Sequence, residues 1–332
     1  MEKTKQRNHC LQAMKGIACM LVVFTHVLFP GKFGYVVYTI AMATVPVFFM
    51  ISGYFAYGDT REQILEKLPG KIKNIGSLTI SACLLYFLFG MGIVWLEHQS
   101  LNLFWKEFHW KNLITFIVLN NTSFIHGGHL WFLLALVYCY AILWIVEKLK
   151  ITHWCYWFIP VALFGRVLIS FTGNWHHTQN FLFYGMPYFF FGYLLRDKAS
   201  AVKKIGNGTL VVFVIIALLY SEVGNWYSPL PVNIYEIGTI LGSIGLFLFA
   251  LQNGEIGKNS ILERIGSTYS LFVYVVHVIV MELFALIDKA HYNRLPAWYG
   301  WAKPVAVLGV TMGIAVLYMQ VKVFLKRKDE NR

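Results

Sequence analysis

Residues 74–96 read NIGSLTISACLLYFLFGMGIVWL, a run without Asp, Glu, Lys or Arg. As an α-helix rising 1.5 Å per residue it extends about 35 Å, enough to cross about 30 Å of hydrocarbon. Charge bounds it on both sides, with Lys71 and Lys73 before it and Glu97 after it. The same alternation of apolar run and polar punctuation continues in both directions. Cutting the chain where charge, Pro, Gly and Asn cluster predicts ten spans, at about 11–29, 34–57, 74–96, 129–146, 154–171, 181–195, 208–222, 232–251, 267–287 and 302–324. The sixth and seventh are short, and 112–119, within the long loop 97–128, is apolar enough to dip into a bilayer.

Composition agrees with this reading. Of 332 residues, 58% are hydrophobic, 17% aromatic and only 13% charged, whereas soluble domains average about 25% charged. The expected fold is an all-α, polytopic integral membrane helix bundle of about ten transmembrane helices, with residues 1–332 forming a single transmembrane domain. The net charge of +12 would raise the question of nucleic acid in a soluble protein. Here the charges sit between apolar runs, so the lipid bilayer is the expected partner and nucleic acid is not. Five cysteines, Cys10, Cys19, Cys83, Cys139 and Cys155, form no CxxC pair and lie mostly in apolar stretches. A disulfide scaffold, a zinc module and a redox motif are all disfavoured. The first span carries His26 and is followed by no small-residue cleavage site, so it is expected to remain a membrane helix rather than a signal peptide.

Ten spans place both termini on one side. With the termini inside, 21 of the 28 Lys and Arg fall on inner segments, a bias that makes both termini cytoplasmic. No separate soluble domain, internal repeat or long tail is evident, so any chemistry belongs to the bundle or its two mouths.

Ionisable groups inside spans are costly and therefore functional candidates, with pairing between helices as the ordinary alternative. They are His26, Arg166, Glu236, His277 and Glu282. His26 follows Lys15 by eleven residues, which on a helix is about 20° from registry with a rise of about 16 Å. One helix face thus offers a cation toward the cytoplasmic mouth and an imidazole toward the outer one. Imidazole suits general-base work near neutral pH, where it can take the proton of an attacking hydroxyl. Lys71 and Lys73, just after Pro69-Gly70, are read as two cations beside the start of the third helix, a setting for a polyphosphate, with the positive-inside rule as the competing explanation. In the second span, Pro46 and Gly53 within Val45–Phe55 predict a kinked, tightly packed helix. His129 and Trp131 open the fourth span, where an aromatic belt is the ordinary reading. His126 and His129 are three apart, but no Cys or carboxylate completes a ligand set, and His176-His177 is weaker still; no metal site is expected. Glu282 lies five residues after His277 and about 140° around the helix, so these two serve different neighbours. Arg166 and Glu236 are candidates to pair across helices.

Taken together, these segments resemble the acyltransferase-3 family, polytopic membrane O-acyltransferases that modify bacterial surface polysaccharides and related envelope molecules. The most specific stretch is Leu11–His26, which looks like the family's first helix, where a basic residue precedes a histidine by eleven positions. The chain departs from the pattern with Lys15 where Arg is most frequent and Gln12 where Asp is common. Lysine keeps the charge and loses the planar fork. Phe48–Tyr54, His129–Leu133 and Tyr274–His277 are similar to three further blocks, in the family's order, and Lys71-Ile72-Lys73 falls where the family often has Arg-x-Arg. The resemblance implies a cytoplasmic acyl-coenzyme A donor, most often acetyl-CoA, as a substrate rather than a resident cofactor. It implies an envelope glycan or lipid-linked sugar as acceptor, and the bacterial cytoplasmic membrane as the setting. It implies His26 as general base or acyl carrier and Lys15, Lys71 and Lys73 as donor-binding residues; His129, Trp131 and His277 would line the acceptor path. Two other readings stay open: a secondary transporter of a lipid-linked sugar or small amphiphile, which should show two related halves, and a non-catalytic scaffold. No pairing between the first five and last five spans is evident.

Overall fold

The computed structural model describes residues 8–98, 100–173, 175–198, 202, 205–226, 234–291 and 294–330. The cations Lys3, Lys5, Arg7, Lys203, Lys204 and Arg332, expected on inner segments, and the side chain of His176 lie outside that description. Among the described residues every regular element is helical. In order they are α1 (His9–His26), α2 (Gly31–Tyr54), α3 (Arg61–Leu96), α4 (Leu101–Lys106), α5 (Trp110–Leu119), α6 (Trp131–Lys148), α7 (Trp154–Ser170), α8 (Trp175–Thr178), α9 (Met186–Asp197), α10 (Asn207–Trp226), α11 (Ile234–Gln252), α12 (Ile261–Arg264), α13 (Ser270–Ala290) and α14 (Ala297–Glu330).

The chain is therefore an all-α polytopic membrane protein. Among the described residues, seven helical stretches are long and apolar enough to cross a bilayer: Gly31–Tyr54, Arg61–Leu96, Gly128–Lys148, Asn207–Gly224, Tyr235–Gln252, Ile261–Ala290 and Ala297–Lys328. The other three expected spans are helical too, each with its own shortfall. α1 has 18 residues but carries Gln12, Lys15 and His26. α7 has 17 residues. The run 181–195 divides into a π turn, Phe181–Gly185, and the 12-residue α9, whose rise of about 18 Å is less than the hydrocarbon thickness. The loop 97–128 is not irregular: it holds α4 and α5, and the apolar stretch 112–119 lies in α5, a helix of 10 residues.

Contacts group the residues into two units, 1–48 with 201–226 and 241–332, and 49–200 with 227–240. In the first, Cys19 and Val23 of α1, with Val27 just beyond its end, pack with Val273 and Val280 of α13 and Val307 and Ala315 of α14. The approach of α1 is set by glycines. A Cβ on Gly16 would lie 2.2 Å from the Leu262 carbonyl oxygen, and one on Gly266 would lie 1.8 Å from that of Gln12. Small residues let backbones meet in this way, which matters where lipid supplies no hydrophobic drive between helices. The Gly266 contact falls in a second π turn, Ile265–Tyr269, that joins α12 to α13.

The second unit uses the same device. A Cβ on Gly53 of α2 would lie 1.9 Å from the Phe189 carbonyl oxygen of α9, and one on Gly192 would lie 2.0 Å from that of Met50. The close packing expected at Gly53 is thus a reciprocal glycine contact. Around it Phe49 meets Phe132 at 4.5 Å between ring centroids, and Trp131 meets Tyr184 edge-on at 5.3 Å.

Candidate active site

α1 begins where its N-terminus can be held. Asn8 caps it, its Oδ1 accepting from the Leu11 N–H at 2.8 Å while its Nδ2 donates to the Ala250 carbonyl at 3.1 Å. The His9 N–H donates to the Gly254 carbonyl at 2.7 Å, and His9 Nδ1 lies 2.7 Å from Glu263 Oε1. Further along, the Cys19 thiol donates to the Ser270 carbonyl at 3.4 Å. The helix is regular from Lys15 to His26, so the registry expected from their spacing is realised. Lys15 is half-buried, and His26, the last helical residue, is exposed.

One ring that meets His26 comes from far along the chain. The His277 ring in α13 lies 5.0 Å from the His26 ring, centroid to centroid, at 54°. His277 is wholly buried, and its Nδ1 lies 2.8 Å from the Tyr274 carbonyl and 3.1 Å from the Val273 carbonyl. Carbonyl oxygens only accept, so Nδ1 carries the proton and Nε2 is the basic nitrogen of the neutral ring. Glu282 is half-buried on the same helix.

Lys71, Lys73, His129 and Trp131 belong to the second unit. The Lys71 ammonium donates to the Phe55 carbonyl at 2.8 Å and lies 5.4 Å from the Tyr140 ring centroid; Lys73 is exposed. Neither stands at a helix N-terminus. α3 starts ten residues before Lys71, with Thr60 as its cap accepting from the Gln63 N–H at 3.3 Å, and runs on through Pro69. Proline costs a helix one hydrogen bond, which a 36-residue helix survives. The two lysines therefore offer charge from the side of a helix, without the terminal N–H groups expected from Pro69-Gly70. His129 is buried in the turn Gly128–Leu130 with Tyr86 edge-on at 4.7 Å, and Trp131 is buried against Phe49 and Tyr184. His126 stacks on Phe104 at 5.8 Å.

Arg166 and Glu236 do pair. Arg166 Nε and Nη2 donate to Glu236 Oε2 at 2.8 and 2.6 Å, Nη1 donates to the Thr178 carbonyl at 3.1 Å, and the guanidinium lies 4.0 Å from the Tyr184 ring centroid. This is a cross-tie between α7 and α11. A second buried carboxylate was not singled out in the sequence. Glu147 accepts from Tyr193 Oη at 2.7 Å and from Thr152 Oγ1 at 2.8 Å, with Arg61 Nε at 3.3 Å. A cavity of about 320 Å³ opens beside it among Tyr57, Arg61, Tyr156 and Asp197. Burial and the neighbouring Asp197 raise the Tyr57 phenol above its ordinary value, so it stays a donor to Asp197 at 3.3 Å. In sequence Glu147 sits between an apolar run and Lys148, where it reads as ordinary interfacial punctuation.

Residues 8–320 match the profile of the acyltransferase-3 family, described as an acyltransferase domain, and the chain belongs to that family. The match runs through both contact units. No curated protein and no solved structure matches the chain. Its class is thus a multi-pass membrane acyltransferase.

Proposed function

We propose that the chain is an O-acyltransferase of the bacterial cytoplasmic membrane that moves an acyl group, acetyl first among candidates, from cytoplasmic acyl-CoA to a hydroxyl of an envelope glycan or lipid-linked sugar. The observation that carries this reading is an exposed imidazole, His26, at the end of a helix pinned at Asn8, Gly16 and Cys19, in a chain of this family. The acceptor oxygen attacks the thioester carbon, the carbon–sulfur bond breaks, and His26 takes the hydroxyl proton and passes it to the departing CoA thiolate. Lys15, Lys71 and Lys73 counter the phosphates of the donor on the cytoplasmic side, to which the Lys/Arg bias assigns them. His129 and Trp131, packed in the second unit, shape the wall of the acceptor path.

Mass spectrometry of surface glycans tests the reading in cells carrying the wild type, a null allele or His26→Ala at matched membrane abundance. The expected result is loss of one acyl mass per repeat in both altered strains. Unchanged acylation in the null overturns the glycan acceptor. Loss in the null alone shows that His26 only packs. A purified protein that releases no CoA from acetyl-CoA in the presence of membranes holding the acceptor would favour a transporter instead.

A further inference from the structure

The segment 101–126 folds back along a spanning helix. Counted from Lys73, about 20 residues of helix cross the hydrocarbon, so Phe87 of α3 lies about 10 Å short of the far boundary. Its ring meets Phe104 of α4 at 5.4 Å and Phe108 at 5.6 Å. Phe108 meets Phe124 at 5.2 Å, and Phe124 meets Phe116 of α5 at 5.7 Å. A Cβ on Gly90 of α3 would lie 2.8 Å from Cδ2 of His126. These contacts set the segment beside the last turns of α3 rather than beyond its end. A second spanning helix reaches α5 from within: Tyr138, midway along the span Gly128–Lys148, donates from Oη to the Ile117 carbonyl at 3.0 Å.

Apolarity alone leaves 112–119 free to dip into a bilayer or to pack inward, and the two ends and faces of α5 separate these. The helix buries none of its residues. Trp110, Leu113, Ile114, Ile117 and Val118 recur at helical spacing within an arc of about 140°, and all are exposed, Ile117 by 63%. Charge and polarity gather at the other end, where Lys106, Glu107 and His109 precede the helix and His109 Nδ1 accepts from the Asn112 N–H at 3.4 Å. Near the C-terminal end two carbonyls are satisfied by the protein itself, Thr115 by the N–H groups of Asn120 and Asn121, and Ile117 by Tyr138. Hydrocarbon demands such internal partners, whereas water would supply its own. At the level of Phe87, α3 exposes Leu84, Leu85 and Leu88, the surface a spanning helix turns to lipid. A second copy of the chain is a poor occupant, since five side chains fall far short of the roughly 20–30 residues a side of a stable interface.

We propose that α5 is a re-entrant membrane helix whose exposed stripe is covered by lipid acyl chains, with Trp110 at the headgroup boundary and Lys106, Glu107 and His109 in the polar layer. Asn120, wholly buried, donates to the Trp131 carbonyl at 3.0 Å and accepts from the Phe181 N–H at 2.8 Å. The lipid-held helix therefore fixes the turn that carries His129. The inference stands independently of the acyl-transfer reading.

The test uses the full chain in nanodiscs of phosphatidylcholine and phosphatidylglycerol with one protein per disc. Lys111→Cys, Ile114→Cys, Ile117→Cys and Val118→Cys are labelled with a charged, water-soluble maleimide, and the slow labelling of the native, mostly buried thiols in wild type is subtracted. A thiol held among acyl chains stays protonated and unreactive, so the three apolar positions should label at least about tenfold more slowly than Lys111→Cys and equally with it in SDS. In wild type, a phosphatidylcholine with a diazirine in its acyl chain should cross-link within residues 112–119, located by mass spectrometry. Labelling of Ile114→Cys, Ile117→Cys and Val118→Cys as fast as Lys111→Cys places the stripe in water and overturns the inference. Slow labelling without a lipid adduct shows that protein covers the stripe, and overturns it as well.

Discussion

Replacing Glu236 by Ala tests whether the most deeply placed charge pair serves the fold or the chemistry. Arg166 is 1% exposed and Glu236 7%, and the guanidinium gives two of its bonds to one carboxylate oxygen, at 2.6 and 2.8 Å. Removing the carboxylate leaves a buried cation without its counter-charge, still held by the Thr178 carbonyl and the Tyr184 ring. Such a deletion costs about 3–5 kcal/mol, whereas replacing both partners by apolar residues of similar volume is often neutral or better. A loss of 3 kcal/mol lowers the folded-to-unfolded ratio on the order of a hundredfold. Glu236→Ala should therefore unfold at markedly lower temperature in detergent, and Arg166→Met with Glu236→Leu should recover most of the loss. The buried thiols of Cys139 and Cys155 provide the readout, since a maleimide dye reaches them only as the protein opens. Acyl transfer per folded molecule should change little in the double variant. Wild-type stability in Glu236→Ala would refute the structural reasoning; a stable double variant with no turnover would show that the pair takes part in the reaction.

Gly266→Leu should drive α1 away from the π turn that it touches, at a cost of about 1–3 kcal/mol or more, and lower both abundance and turnover. Gly76→Ala is the control, because a Cβ there meets nothing within 4 Å; membrane abundance on blots and CoA release report both. Glu147→Leu should strand the Tyr193 and Thr152 hydroxyls and cost about 1–3 kcal/mol, read by the same thermal assay, with no loss if those donors find water. Lys71→Ala and Lys73→Ala should each raise KM for acetyl-CoA several-fold with kcat held, while Lys73→Arg stays near wild type. A kcat effect without a KM effect would remove these lysines from donor binding.

Much of the architecture was legible because membrane insertion imposes a length and a polarity on each helix. The apolar runs separated by charge announced an all-α bundle, and the spacing of Lys15 and His26 announced a shared helix face, since a single helix is a local object. Gly53 was legible as a close contact, although not its partner Gly192. Pro69-Gly70 misled: the pair looks like a break, but α3 begins at Arg61 because Thr60 caps it there and the helix is long enough to absorb one missing bond. The π turns at Phe181–Gly185 and Ile265–Tyr269 left no mark in the apolar pattern, since each adds a residue to a turn without changing what the turn is made of.

By itself, then, the sequence determined which segments are helical, that the bilayer is their solvent, and which ionisable groups had to be accounted for inside it. Those are matters of local propensity and of the price of polar groups in hydrocarbon. Tertiary structure decided which of those groups meet. It joined Arg166 to Glu236 as a cross-tie, buried Glu147 under three donors, and brought His277 beside His26 from about 250 residues away. Such pairings depend on how helices cross, here through glycines at positions 16 and 266, and a crossing is set by atoms on two helices at once.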